Sequence, residues 1–512
     1  MRRFLAILQA DLRERVRSSQ FWLVIAATVG FTWLCFPQAD AHYVVLGINS
    51  NHRGAYSSAW IGMVLAMLSI WSSLIGFYLI RGNLRRDFDS RVWELLEVTP
   101  LSRRSYLLAK WCSHMLVLGM VLAAQLGVGV VAQLIRAEDS QLDLAQLIVP
   151  SLVLGLPSLA LTASCAIWFD MVPALRRSVG NYVYFALWLA ILLVTVKAMA
   201  PGVGEHGAMS DPRGLTIFNQ AVHERLDAKL DMPLKMCVGC IFPTKQVVLF
   251  DWPAWRIGVA ELGGRAAWLL AALAAVLFSA PLLDRFAVHG RALEQSAAGL
   301  GRARRTPILN WVIRPLQRSQ FGTLLAAELS LTLRGRNPWW WGGVWCAGAA
   351  QLFLPTRFAA MAVIGAWLLL IDIYAGAALR ESVARATPVV FSAPHALRRV
   401  FAARWLMLFI LGVALYLPAM LRFAVLAPSV AVAILALALS LPSWAMAVAA
   451  FTRTARGAEL GMCVLAYLGF QGMAVSNVTA APVWTASMHM ALLPVAAVLL
   501  WVGWTRLHRA IV

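Results

Sequence analysis

Cys237 and Cys240 form a C-x-x-C, the spacing most often read as half of a zinc site. A tetrahedral site needs a second pair or a histidine cluster, and neither accompanies this one. In an oxidising compartment the same two thiols can instead close a local disulfide. His206 and His223 sit near carboxylates, but their spacing matches no ligand pattern, and the nine histidines are otherwise scattered. The chain has no H-E-x-x-H and no G-x-S-x-G at a strand-to-helix turn, so a complete catalytic constellation is missing. A nucleotide-binding P-loop needs G-K-[ST], so that backbone amides and a lysine cradle the phosphates. None of the five lysines (Lys110, Lys197, Lys229, Lys235 and Lys245) follows a glycine. The sequence is therefore expected to be no enzyme and to bind no metal or cofactor.

The elements around these residues explain why. Of 512 residues, 61% are hydrophobic and only 13% charged, against about 25% charged in an ordinary soluble chain. The apolar residues fall in runs of about 20, enough to cross roughly 30 Å of hydrocarbon as a helix. The remaining cysteines, Cys35, Cys112, Cys165, Cys346 and Cys463, lie in or beside these runs and read as small packing residues. The first run follows a charged leader and precedes no small-residue cleavage pattern, so a retained N-terminus is expected.

The expected fold is an all-α polytopic membrane protein of about twelve spans. In the first half they lie near 21–37, 59–80, 112–135, 145–169, 181–199 and 264–283. In the second they lie near 339–355, 358–379, 404–425, 427–451, 458–478 and 484–505. The formal charge of +20 is almost all arginine, placed in short loops between apolar runs. That distribution follows the positive-inside rule and argues against nucleic-acid binding. With the N-terminus inside, 32 of the 44 Lys and Arg fall on the cytoplasmic face, while the long outer segment 200–263 holds six basic and seven acidic residues. Both termini are thus expected in the cytoplasm, and the chain in the cell's inner (plasma) membrane.

An internal repeat organises the chain. Residues 4–22 align with 321–339, with Phe4/Phe321, Leu8/Leu325, Ala10/Ala327, Leu12/Leu329, Arg17/Arg334 and Trp22/Trp339 identical. Asp11 opposite Glu328 keeps an acid there. Further on, Arg86-Asp87 aligns with Arg380-Glu381, Arg91 with Arg385, Pro100 with Pro394, Arg104 with Arg398, and Lys110-Trp111 with Arg404-Trp405. The division this suggests is a six-span half over 1–283, an Arg/Gly-rich cytoplasmic linker over 284–320, and a second six-span half over 321–512. An even number of spans gives both halves the same orientation.

Each half opens on a stretch of amphipathic helix. Phe4, Leu5, Leu8, Leu12 and Val16 recur at helical spacing opposite Arg13, Glu14, Arg15 and Arg17, a pattern suited to the headgroup plane. It recurs at 321–336. The loop 81–110 (RGNLRRDFDSRVWELLEVTPLSRRSYLLAK) has helical periodicity, a break at Thr99-Pro100, and Ser102 placed to cap the helix that follows.

A lead helix, two spans, and a cytoplasmic loop of this kind resemble the type-2 exporter permeases of the ATP-binding-cassette superfamily. The resemblance implies a loop that docks on a separate ATPase, which binds ATP and magnesium. It assigns that contact to Trp93, Glu94, Leu95, Leu96, Thr99, Pro100, Arg103 and Arg104, with Pro394, Arg398 and Arg399 in the second half. The second loop lacks the W-E-L-L core, which points to a degenerate surface or a different ATPase subunit. Expected partners are cassette ATPases, the bilayer and a transported substrate. Spans almost free of charge favour a hydrophobic or lipid-like cargo over a small ion.

Two other readings compete. Twelve spans in parallel halves also suit a secondary transporter of the major facilitator type. Its G-x-L-x-D loop is approached by Gly82-Asn83-Leu84-Arg85-Arg86-Asp87, but the acid falls one position late. Ion-coupled carriers also bury ionisable groups. Here only Asp372, two turns from Arg380, and Lys197, near an outer end, stand out. A membrane-embedded enzyme is the third reading. Trp22, Trp252, Trp255 and Trp339 to Trp341 read as interfacial anchors.

Overall fold

The structure is a computed structural model. The structure describes residues 2–38, 43–48, 52–89, 92, 102–172, 175–176, 178–198, 211, 214, 216–217, 236–241, 247–252, 254–255, 257–283, 313–334, 336, 338–384, 386–470 and 472–509. The chain separates into two compact units, Met1–Gln295 and Ser296–Val512. Among the described residues, seven helices are long and apolar enough to cross a membrane, eight if one bent pair counts as a single span. These are the helices of a multi-pass membrane protein.

The first unit runs α1 (Arg2–Val16), α2 (Ser19–Leu34), β1 (Tyr43–Ile48), β2 (His52–Gly54), α3 (Ser58–Ile80), α4 (Asn83–Asp89), α5 (Arg103–Arg136), α6 (Leu144–Met171), α7 (Ser178–Ala198), β3 (Met236–Ile241), β4 (Val248–Phe250) and α8 (Val259–Ser279). Helix α3 is apolar all round, as a helix enclosed by others must be, and 83% of its span is buried. Small residues set the spacing of its neighbours. A Cβ on Gly62 would land on the backbone carbonyl of Gln146 in α6, and one on Gly76 would meet Leu118 in α5. Gly62→Ala is therefore expected to cost about 1–3 kcal/mol, because backbone cannot step aside as a side chain can. Melting of the detergent-solubilised protein reads this out, and an unchanged midpoint would contradict so close a helix pair.

The strands are absent from the all-α expectation. They form one sheet in the order β3-β1-β2-β4, with β1 antiparallel to β2 and β3, and β2 parallel to β4. Met236–Ile241 and Val248–Phe250, from the long segment before α8, thus join the short segment between the first two apolar helices. Phe36, Leu46, Tyr56, Trp60, Trp252 and Trp255 pack under it in one buried cluster. Trp252 and Trp255 are accordingly core residues rather than interfacial anchors, with Trp60 edge-on to Trp252 at 5.5 Å.

The second unit runs α9 (Gln320–Leu333), α10 (Pro338–Phe353), α11 (Ala359–Leu368), α12 (Ile371–Ala377), α13 (Arg380–Val383), α14 (Thr387–Val390), α15 (Ala396–Leu426), α16 (Pro428–Thr452), α17 (Ala455–Phe470) and α18 (Pro482–Arg509). Helix α16 is its pillar, 72% buried along its span and packed on α15, α17 and α18. The predicted span 358–379 is not one straight helix. It bends by 45° between α11 and α12, without proline or glycine at the break. The Leu369 carbonyl freed there accepts from the Trp340 indole at 2.9 Å, which satisfies a group that lipid could not. Trp340 is thus a structural donor rather than a plain interfacial anchor, while Trp22 and Trp339 remain exposed.

Candidate functional site: two buried ion triads

Helix α1 lies against α5 through its apolar face, and Asp11 falls on that face between Leu8 and Leu12. Gly82, at φ 86°, turns the chain from α3 into α4, a left-handed conformation that suits glycine. Its N–H donates to Asp170 Oδ2 at 2.7 Å. The turn aims α4 back at α1 and α5, and Lys110 of α5 rises between them.

Lys110 Nζ lies 2.9 Å from Asp11 Oδ1 and 2.8 Å from Asp87 Oδ2. It also donates to Asn83 Oδ1 at 3.4 Å, so each of its three N–H bonds has an acceptor. Asn83 Nδ2 in turn donates to Asp11 Oδ2 at 3.0 Å, and the Tyr106 hydroxyl to Asp87 Oδ2 at 2.5 Å. Lys110 is only 2% exposed. Arg15 completes the junction by donating to the carbonyls of Leu79 and Ile80 at 2.9 and 2.8 Å, where a cation meets the negative end of the α3 dipole.

The second unit builds the same arrangement. Helix α9 packs on α15, bringing Glu328 to Arg404, which is fully buried. Arg404 Nη2 lies 2.7 Å from Glu328 Oε1, and Nε donates to Glu328 Oε2 at 3.1 Å. Nη1 donates to Glu381 Oε2 and to the Ala377 carbonyl, both at 2.8 Å, and Nη2 also pairs with Glu381 Oε1. All five guanidinium N–H bonds are used. Burial alone would raise the Glu381 carboxyl, but the hydrogen bonds and charge of Arg404 outweigh it and hold Glu381 below its usual value. Arg380 adds a fourth member, 2.7 Å from Glu328 Oε2. Arg86, at the aligned position, pairs instead with Glu14 at the exposed surface.

Three of the charged pairs of the sequence repeat, Asp11/Glu328, Asp87/Glu381 and Lys110/Arg404, are thus the members of the two triads. The aligned tryptophans agree as well. Trp111 Nε1 donates to Ser164 Oγ at 3.1 Å, and Trp405 Nε1 to Ser443 Oγ at 2.9 Å. Alignment alone did not reveal that the charges touch. The available signal was an acid inside an apolar helical face, twice.

Other expectations resolve differently. Trp93, Glu94, Leu95, Leu96, Thr99 and Pro100 lie outside the described residues. Ser102 does cap α5, accepting from the Ser105 N–H. Arg103 and Arg104 are exposed in the first turn of α5, and Arg398 and Arg399 in the first turn of α15, with Pro394 exposed just before it. Asp372 pairs with Arg336 rather than Arg380. Cys237 and Cys240 lie on β3 in register with Gly47 and Val44, and their side chains, like that of Lys197, lie outside the described residues.

A further buried pair closes the sheet end of the first unit. Arg53 Nη1 and Nη2 donate to Glu138 Oε2 and Oε1 at 2.7 and 2.5 Å, and the Tyr56 N–H adds a bond at 2.9 Å. Burial would raise the Glu138 carboxyl, but these bonds hold it below its usual value. The stability it supplies is therefore complete above the ordinary glutamate pKa, about 4.3, and is lost as pH falls through the lower folded value. Glu138→Gln is expected to melt below wild type at pH 7 and level with it once the carboxylate of the wild type is protonated. A gap that persists unchanged at pH 2 would contradict the pairing.

No protein-family model matches the chain, and no curated protein sequence matches it.

Proposed function

We propose that the chain is the membrane permease of an ATP-driven exporter of the cassette type, two six-span halves in one polypeptide, powered by a separate ATPase. The observation that carries this reading is the recurrence of one ion triad at matching sequence positions of both units. In the first unit, Asp87 precedes the loop read as the ATPase contact and Lys110 follows it. Both stems of the loop are therefore fastened to α1 by one ammonium. A force applied to such a loop reaches the helices on either side rather than being lost in a flexible hinge. In the second unit Glu381 and Arg404 bracket the corresponding segment, and Glu328 fastens it to α9.

The triads also weigh against an ion-coupled carrier. Lys110 and Arg404 stand near the start of α5 and α15, whereas a carrier places its ionisable groups on the path at the midplane. In this reading the triads lie at the cytoplasmic face of the inner membrane, the span count is twelve, and both termini are cytoplasmic. The substrate is hydrophobic or lipid-like.

Affinity purification of the tagged chain from its own cells tests the proposal. A cassette ATPase is expected in the eluate, and the Trp93→Ala/Glu94→Ala variant is expected to insert normally but lose that partner. Undiminished recovery from the double variant would exclude this loop as the contact. ATP hydrolysis by the purified chain alone would overturn the whole reading.

A further inference from the structure

At the sheet end of the first unit, Trp33, Leu34, Phe36, Pro37, Gln38, Tyr43 and Arg136 line an open cleft of about 320 Å³. This is at the lower end of ligand-sized pockets. Arg136, near the end of α5, donates through Nε and Nη2 to the Phe36 carbonyl at 3.1 and 2.6 Å. That fixes the guanidinium at the end of α2 while engaging only two of its five N–H bonds. Its face lies 5.2 Å from the Trp33 ring. Glu138, two residues on, feels the charge of Arg136, but both of its oxygens are hydrogen-bonded to Arg53 and the Tyr56 N–H, so it takes none of the Arg136 donors.

The site therefore presents an anchored cation with spare donors, an indole wall and an apolar lip. We propose that this cleft binds a phosphate-type anion, such as the headgroup of an anionic lipid. Guanidinium forks suit phosphate oxygens in particular. Trp33 and Leu34 adjoin the end of an apolar helix, where the first carbons of an acyl chain would rest beside them. The inference is independent of the exporter reading, because it uses neither triad nor loop.

Titration of the full-length protein in neutral phosphatidylcholine nanodiscs with short-chain phosphatidylglycerol, followed by tryptophan fluorescence and calorimetry, tests it. Saturable binding is expected, weakened at least about tenfold, or 1.4 kcal/mol, by Arg136→Gln. Gln38→Glu guards against misfolding, since it adds an anion at an exposed rim position; it should weaken binding, and Gln38→Lys should strengthen it. Arg422→Gln removes a similar arginine from the carbonyls of Gln351 and Leu354 in the other unit and should leave binding unchanged. Displacement by millimolar inorganic phosphate would assign the site to a free anion, and resistance to it would assign the site to lipid. Equal binding by wild type, Arg136→Gln and Gln38→Glu would overturn the proposal.

Discussion

Arg404→Met is expected to destabilise the second unit by about 3–5 kcal/mol, because it leaves two buried carboxylates facing each other with no cation between them. Few side chains in the protein are so fully committed. Glu328 and Glu381 are 4% and 7% exposed, so neither can turn to water, and of the two, Arg380 bonds Glu328, with its second donor on Thr332 Oγ1 at 2.9 Å. Arg404→Lys should recover part of the loss, since an ammonium restores the charge but offers three donors where the site uses five. The triple variant Arg404→Met/Glu328→Gln/Glu381→Gln should recover more than the single one, as removing a whole buried charge set is often close to neutral. Melting of the purified protein orders the three variants. A single variant as stable as wild type would mean that the triad is not formed.

The second large effect is expected at Lys110, and it should appear in coupling as well as in stability. Lys110→Met strands Asp11 and Asp87 and should cost a similar 3–5 kcal/mol. On the proposed exporter reading the loop surface is untouched, so a partner ATPase should still co-purify, while substrate-stimulated ATP turnover in proteoliposomes falls at least about tenfold, the rate equivalent of 1.4 kcal/mol. Trp93→Ala/Glu94→Ala should behave in the opposite way, losing the partner without losing stability. The two variants together separate a contact surface from the joint behind it. If Lys110→Met kept full stimulation, the triad would be a structural staple and no part of force transfer.

What could be read from residues alone follows from how local the determining physics is. Apolar runs of span length declare helices by themselves, so helices lie on the predicted stretches and Ser102 caps α5 as expected. The bend after Leu368 is invisible to such reasoning, because no proline or glycine marks the break and the indole that satisfies the freed carbonyl stands on another helix. The sheet is hidden for a similar reason. Strand β1 is six residues long and pairs with β3, almost two hundred residues away, and a strand that short gives no signal apart from its partner. Trp252 and Trp255 look like membrane anchors only while that sheet is unknown.

The triads stand between these cases. The alignment of Asp11 with Glu328, Asp87 with Glu381 and Lys110 with Arg404 was legible, and so was the oddity of an acid between Leu8 and Leu12. Their contact was not, since it depends on Gly82 turning α4 back toward α1. The asymmetry was likewise hidden. Arg380 joins its triad while the aligned Arg86 turns outward to Glu14, although both stand beside the second acid in sequence.

The two triads are proposed to belong to halves of the same orientation and to face the same compartment. Single cysteines in place of Arg103 and of Arg398, in a cysteine-free background, report it directly, because both sites are exposed beside their triads. Membrane-impermeant maleimide is expected to spare both in intact cells and to label both in inside-out vesicles. Labelling of one site from each side of the membrane would contradict the account.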